Sequence, residues 1–179
     1  MTVTGRTGTA LAPLLVLLDT SYNTASWHGV NLRGSLRRVS LEAAAWRPAP
    51  DAHNVWELMV HAAYWKYAAW RRLTGAKRGS FPLAGSNFFE RPVEMTDRAW
   101  RTDLGLLESM HRDLRAAVAA TRPGTLDARL PGSKVTRLRL ITGIAAHDLY
   151  HAGQIQLVKA LARARPQQPS SPIAARRAT

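Results

Sequence analysis

Cysteine is absent from this sequence of 179 residues. The chain can therefore form no disulfide, offer no thiolate to a metal and use no cysteine nucleophile. Long apolar runs are also missing, because no stretch approaches the ~18 residues that a membrane-spanning helix needs. These absences exclude a disulfide-stapled scaffold and predict a protein without a membrane span, for which we expect a cytoplasmic location.

Acidic residues are scarce as well. The chain has 12 Asp and Glu against 25 Lys and Arg, a formal net charge of +13, and no acidic residue follows Asp148. Such an excess fits an anionic substrate, a nucleic-acid surface or an arginine-rich coding bias, and the sequence leaves the three open.

The length fits one domain of ordinary size. The apolar run Ala10–Leu18 is short and lacks a small-residue cleavage site, so we interpret it as the start of a core helix rather than a secretory signal. We predict a flexible N-terminus over residues 1–9, a helical domain over 10–165, and a disordered basic tail over 166–179.

Apolar residues recur at helical spacing in four segments, and no strand-like alternation is present. These segments predict helices near residues 12–39, 54–74, 96–120 and 134–162. In the first, Trp27, Leu32 and Leu36 extend the apolar face, and Gly29 is expected only to weaken the helix.

The connection between the second and third predicted helices is unusually long. Residues 75–95 form about 21 positions without helical period, whereas ordinary connections are much shorter. Fully extended, the segment reaches roughly 70 Å, more than twice the ~30 Å length of a 20-residue helix. The third helix can therefore run parallel to the second, which predicts an all-α four-helix bundle with a long crossover between helices 2 and 3.

The last predicted helix holds His147 and His151, four residues apart in an apolar run. Positions i and i+4 share a helix face, and Tyr150 and Gln154 fall on that face too. Chance alone gives roughly 0.2 such pairs in a chain with this many histidines, so the spacing indicates a metal site but does not prove one. The segment also reads His-Asp-x-x-His, yet Asp148 is one methylene too short to replace the glutamate of a zincin.

Catalytic zinc usually has three protein ligands and one open position. His61, in the middle of the most apolar helix, is the best third ligand on position alone. Of the others, His111 has a charged context that suggests a surface role, and His53 suits a loop or capping position. His28 is open to interpretation as a ligand, a partner of a ligand or a core residue.

Two segments, His61–Trp65 and Gly143–Ile155, resemble the DinB/YfiT-like superfamily, and the likeness extends over about residues 10–162. The resemblance implies a bundle with an up-down-down-up course and a metal held by three residues, His61, His147 and His151. It also implies homodimers, and relatives that include thiol-dependent S-transferases and maleylpyruvate isomerases.

The leading functional hypothesis is a metal-dependent enzyme, with zinc or nickel as the metal and a low-molecular-weight thiol as a co-substrate. Hydrolysis by metal-bound water is the other reaction type considered. Tyr150, Gln154 and His28 are candidate contacts to the ligands or the substrate, although packing alone also explains the first two. The alternatives are a non-catalytic metal-binding bundle, or a stress-related protein that binds nucleic acid through Arg33, Arg37, Arg38, Arg71, Arg72, Lys77 and Arg78.

Overall fold

A computed structural model describes residues 10–165, and within them every regular element is helical. The predicted flexible N-terminus and basic tail lie outside these residues. The helices are α1 (Ala12–Tyr22), α2 (Leu32–Ser35), α3 (Leu41–Ala45), α4 (Val55–Thr74), α5 (Asp97–Ala119) and α6 (Arg137–Ala164), with a 3-10 turn at Pro123–Thr125. None of these helices is both long and apolar enough to cross a membrane.

The prediction of one helix over residues 12–39 is wrong, because α1 ends at Tyr22. Asn31 organises the turn that follows. Its amide nitrogen donates to the carbonyl of Thr24 at 2.8 Å, and its side-chain oxygen accepts from the backbone N–H of Gly34 at 2.9 Å. Short polar side chains of this kind compete with helix hydrogen bonds, so the chain turns and restarts at α2.

Gly29 marks the break rather than a weak point within a helix. Its φ of +107° is incompatible with a right-handed helix and suits glycine alone among common residues. Trp27, expected to face the core, is fully exposed, and His28 beside it is exposed too. Leu32 and Leu36, on the far side of the turn, are buried as expected.

α4 begins and ends on local signals that the sequence shows. Asn54 and Glu57 form a capping box, in which the Asn54 side chain accepts from the Glu57 N–H and the Glu57 carboxylate accepts from the Asn54 N–H. Gly75 closes the helix in the left-handed conformation. These caps fix the register of the helix that carries His61.

The crossover makes α5 run parallel to α4. The indole of Trp56 donates to Asp103 at 2.7 Å. Further along both helices, Lys66 donates to His111 at 3.3 Å. Residue numbers rise together along the two helices, which requires the long connection between them.

The remaining long helices run the other way. Tyr22 of α1 stacks on His111, whereas Asp19, earlier in α1, pairs with Arg115, later in α5, at 2.6 Å. α6 is likewise antiparallel to α4. His61 lies close to His151, whereas Lys66, later in α4, pairs with Asp148, earlier in α6. The fold is therefore an up-down-down-up helical bundle, as predicted.

Candidate metal centre

His61 is held in place by the crossover segment. Its Nδ1 lies 2.9 Å from the backbone carbonyl oxygen of Asn87, which can only accept, so Nδ1 carries the proton. Asn87 has a φ of +68°, a conformation that asparagine tolerates better than most residues. Its side-chain oxygen also accepts from the indole of Trp65 at 3.0 Å. The loop and α4 together therefore fix the direction of the His61 ring.

His147 and His151 project from α6 toward His61. The Nε2 atom of His147 lies 3.2 Å from Nε2 of His61 and 3.0 Å from Nε2 of His151. The ligand atoms of all three residues lie within 4.8 Å of one another. Two ligands of a tetrahedral ion at ~2.0–2.1 Å lie roughly 3.3–3.4 Å apart, close to the observed spacings.

The arrangement of protons favours a cation at this point. His151 Nδ1 lies 2.6 Å from the side-chain oxygen of Gln154, so its proton also resides on Nδ1. Two Nε2 lone pairs, from His61 and His151, therefore point toward the third imidazole. One N–H of His147 can serve them only as a shared donor, whereas a divalent ion accepts lone pairs from all three rings. The three residues thus fit such an ion.

Burial keeps the three imidazoles neutral, the form that binds metal. Loss of hydration lowers the pKa of His61 to about 4 and that of His147 to about 3. The pKa of His151 is lowered for the same reason. Protons therefore compete weakly with a cation near neutral pH.

The three histidines line a cavity of about 670 Å³, a size suited to a small molecule. Phe88 of the crossover forms one wall. Its ring stacks on His61 at 3.9 Å and on His53 at 3.6 Å. The other walls are mainly apolar and come from Pro48, Ala52, Leu58, Trp65, Leu157 and Val158.

Of the three predicted auxiliary residues, two are at the site and one is not. Gln154 accepts from His151, and its amide nitrogen donates to the Tyr150 hydroxyl at 3.2 Å. Both residues line the cavity. His28 does not, because the helix on which it was placed ends at Tyr22 and leaves it in an exposed turn.

His53, for which the sequence suggests only a loop or capping position, also lines the cavity. Its Nδ1 lies 3.2 Å from Oε2 of Glu57, whose carboxylate is buried and also bonded by Arg47. A carboxylate on Nδ1 holds the proton there and leaves the lone pair on Nε2, as in catalytic His–carboxylate pairs. The His-x-x-x-Glu spacing at the start of α4 could have indicated this pair.

The surface role suggested for His111 is wrong, because the residue is buried in the core. A second buried polar feature is the ion pair between Lys66 and Asp148, whose side chains are inaccessible to solvent. The Asp148 carboxylate is therefore paired with Lys66 in the interior of the bundle. This agrees with the expectation that Asp148 does not serve as a zincin-type base.

An up-down-down-up helical bundle with three imidazoles converging beside an open cavity defines a class of candidate metalloproteins. A model of the DinB superfamily matches residues 25–155, well over half of the chain. The protein belongs to the DinB superfamily, which confirms the resemblance drawn from its two motif segments. Comparison with curated proteins and with solved structures found no match.

Proposed function

We propose that the protein is a metal-dependent enzyme that holds zinc or nickel on His61, His147 and His151. Its reaction in this proposal is a thiol-dependent S-transfer, or alternatively a hydrolysis, on a small and largely apolar molecule. The observation that carries the proposal is the convergence of three Nε2 atoms at the wall of a cavity large enough for a substrate. When bound, such an ion lowers the pKa of a thiol or water in its open position, toward ~7 for water.

A thiol nucleophile must come from outside the chain, because the sequence has no cysteine. In S-transfer the thiol loses its proton, its sulfur forms a bond to an electrophilic carbon, and the leaving group departs with the electron pair of the broken bond. In hydrolysis, water replaces the thiol. Either reaction needs a base close to the nucleophile.

His53 is suited to accept that proton. Glu57 fixes the Nδ1 proton of His53, so the Nε2 lone pair is available, and the ring lines the same cavity as His61 with only Phe88 between them. Buried Glu57 stabilises the imidazolium that forms, as the carboxylate does in a catalytic triad.

Tyr150 is suited to the opposite task of donating a hydrogen bond. Its oxygen accepts from Gln154, so its own hydroxyl proton is free for a group in the cavity. A leaving group or a carbonyl oxygen that gains negative charge would be stabilised by this donor. The apolar walls leave few other polar contacts, which favours an apolar substrate with one polar centre.

The test is metal analysis of tag-free protein, followed by assays of the zinc-loaded, nickel-loaded and chelator-treated forms. Low-molecular-weight thiols are paired with an aryl halide for S-transfer, and aryl esters report hydrolysis. We expect turnover only in a loaded form, and loss of turnover in the His61/His147/His151 triple alanine variant. A folded wild type that binds no divalent ion would refute the proposal, and metal binding without turnover in either assay would favour the non-catalytic alternative.

Within residues 10–165, the basic residues named for nucleic-acid binding fall into two separate groups. Lys159, near the end of α6, donates to the backbone carbonyl of Arg37, whereas Arg72 shares a cavity with Arg139 near the start of α6. The 20 residues between positions 139 and 159 span about 30 Å of helix. The two groups of arginines therefore lie at opposite ends of α6, and Arg33 is paired with Glu108.

A further inference from the structure

Each of the four long helices contributes one residue to a polar cluster in the core. Tyr22 comes from α1, Lys66 from α4, His111 from α5 and Asp148 from α6, and all four are buried. Buried lysine and aspartate are rare unless they are paired. The burial of these two charged residues therefore depends on the partners that the cluster provides.

Lys66 is the centre of the cluster. Its ammonium group donates to the Asp148 carboxylate and to Nδ1 of His111, the latter at 3.3 Å. It also lies 4.8 Å from the centroid of the Tyr22 ring, on which His111 stacks. One side chain of α4 thus contacts the other three long helices through directional or cation–π interactions.

The cluster is adjacent to the candidate metal centre along the chain. Lys66 lies five residues beyond His61, about 7.5 Å along α4, and Asp148 directly follows His147. His61 and His151 each have an Nδ1 partner that orients the ring, but Nδ1 of His147 is buried and has no hydrogen-bond partner among residues 10–165. No hydrogen bond to Nδ1 orients the His147 ring, so its position depends on where α6 places its backbone and on packing against His61 and Trp65.

We propose that Lys66 and Asp148 are positioning residues that fix the register of α6 against α4 and thereby place His147 relative to His61. This inference rests on the proposed metal function. A buried ion pair adds little stability over apolar residues of the same size, but it restricts the geometry of the elements that it joins. Metal ligands tolerate displacements of only about 0.5 Å, so a small slip between these helices would matter.

The first test replaces the pair by apolar residues of similar size in Lys66→Met/Asp148→Leu. Cobalt(II) is the probe, because its visible spectrum reports coordination geometry. We expect a folded protein whose cobalt and zinc affinities are about 10–100-fold weaker, as for other residues that orient ligands, with a changed cobalt spectrum.

The matched control is Lys159→Met. Lys159 is a buried lysine of α6 that donates to the carbonyls of Ser35 and Arg37 at 2.6 and 3.0 Å, away from the histidines. We expect this variant to keep the wild-type affinity and spectrum. Wild-type affinity and spectrum in the folded Lys66→Met/Asp148→Leu variant would overturn the inference.

A second pair of variants changes Asp148 alone and leaves Lys66 in place. Asp148→Asn keeps the side-chain length and can still accept from Lys66, whereas Asp148→Glu keeps the charge but adds a methylene. If Asp148 positions the helices, Asp148→Asn should keep a metal affinity and a cobalt spectrum close to those of the wild type. Asp148→Glu should bind metal more weakly. Wild-type values for both, or a loss for Asn alone, would contradict this positioning role. Failure of the wild type itself to bind metal would instead refute the underlying metal function.

Discussion

At the scale of single residues, the candidate centre depends on where two protons reside. The backbone carbonyl of Asn87 and the side-chain oxygen of Gln154 hold the Nδ1 protons of His61 and His151. Both contacts leave the Nε2 lone pairs directed into the cluster. Partners of this kind fix the tautomer and raise the basicity of a ligand.

Gln154→Leu should therefore weaken metal binding by about 10–100-fold, because His151 loses the acceptor that fixes its tautomer. Titration calorimetry with zinc measures the change. Gln156→Leu is the matched control, since Gln156 is exposed on the same helix and does not line the cavity that contains the histidines. Equal zinc affinity in the two variants would show that Gln154 does not orient His151.

His53→Gln should lower turnover by about 10²–10⁴-fold without changing metal content, because a proton acceptor is lost but no ligand is removed. Steady-state kinetics and metal analysis of the same preparation give the two quantities. His28→Gln, an exposed histidine, should change neither. A parallel loss of metal in His53→Gln would instead assign this residue to the metal centre.

His111 makes the stability of the fold sensitive to acid. Burial lowers its pKa to about 3, whereas the unfolded imidazole titrates near 6.5. Between these values the unfolded chain binds more protons, so the free energy of unfolding falls as pH decreases, by at most about 1.4 kcal/mol per pH unit from this group. Urea unfolding at pH 7 and pH 5 should show a larger loss for wild type than for His111→Phe. Identical losses would contradict this assignment.

At the scale of elements, helix boundaries could be predicted where a capping side chain is local. Asn54 and Thr96 are of residue types that favour N-caps, and α4 and α5 begin directly after them. α6 begins after Thr136 rather than near residue 134, because the Thr136 hydroxyl accepts from the Arg139 N–H. The first helix is shorter than predicted, because Asn31 forms hydrogen bonds of a turn that the helical period does not reveal.

The predictable part of the site is the part that depends on helical period. His147 and His151 follow from their spacing, and His61 from its place in an apolar helix. Asn87 could not be found, because its role depends on a loop conformation. The contact between Lys66 and Asp148 joins positions 82 residues apart, and no local pattern predicts such a pairing.

The ion pair between Lys66 and Asp148 should also affect the free energy of unfolding. Lys66→Met leaves the Asp148 carboxylate buried and unpaired, which should cost about 3–5 kcal/mol in the free energy of unfolding. Adding Asp148→Leu removes that charge and should restore most of the loss. A double-mutant cycle in urea measures the coupling. Additive effects of the two substitutions would mean that the pair is not formed.

At the scale of the whole molecule, α6 has an exposed apolar side. Tyr150, Leu157 and Leu161 are exposed there, and Gly143 and Gly153 would permit close approach of another helix. Ala145 and Ala152, two further small residues of α6, are instead buried within the bundle. A homodimer through α6 remains our prediction.

Sedimentation velocity at micromolar concentration should therefore show a dimer for wild type, and a shift toward monomer for Leu157→Glu, because a charge would be buried in the interface. Arg163→Glu serves as the control, since it changes charge on the same helix at an exposed polar position. A wild type that sediments only as a monomer would contradict the prediction.

Three histidines from two antiparallel helices converge at one point, where we propose that they hold one divalent ion. The most direct measurement is the metal content per chain of tag-free wild type and of the folded His61/His147/His151 triple alanine variant, after equal exposure to zinc and dialysis. We expect one ion per wild-type chain and none in the variant. Equal metal content in the two proteins would contradict this proposal.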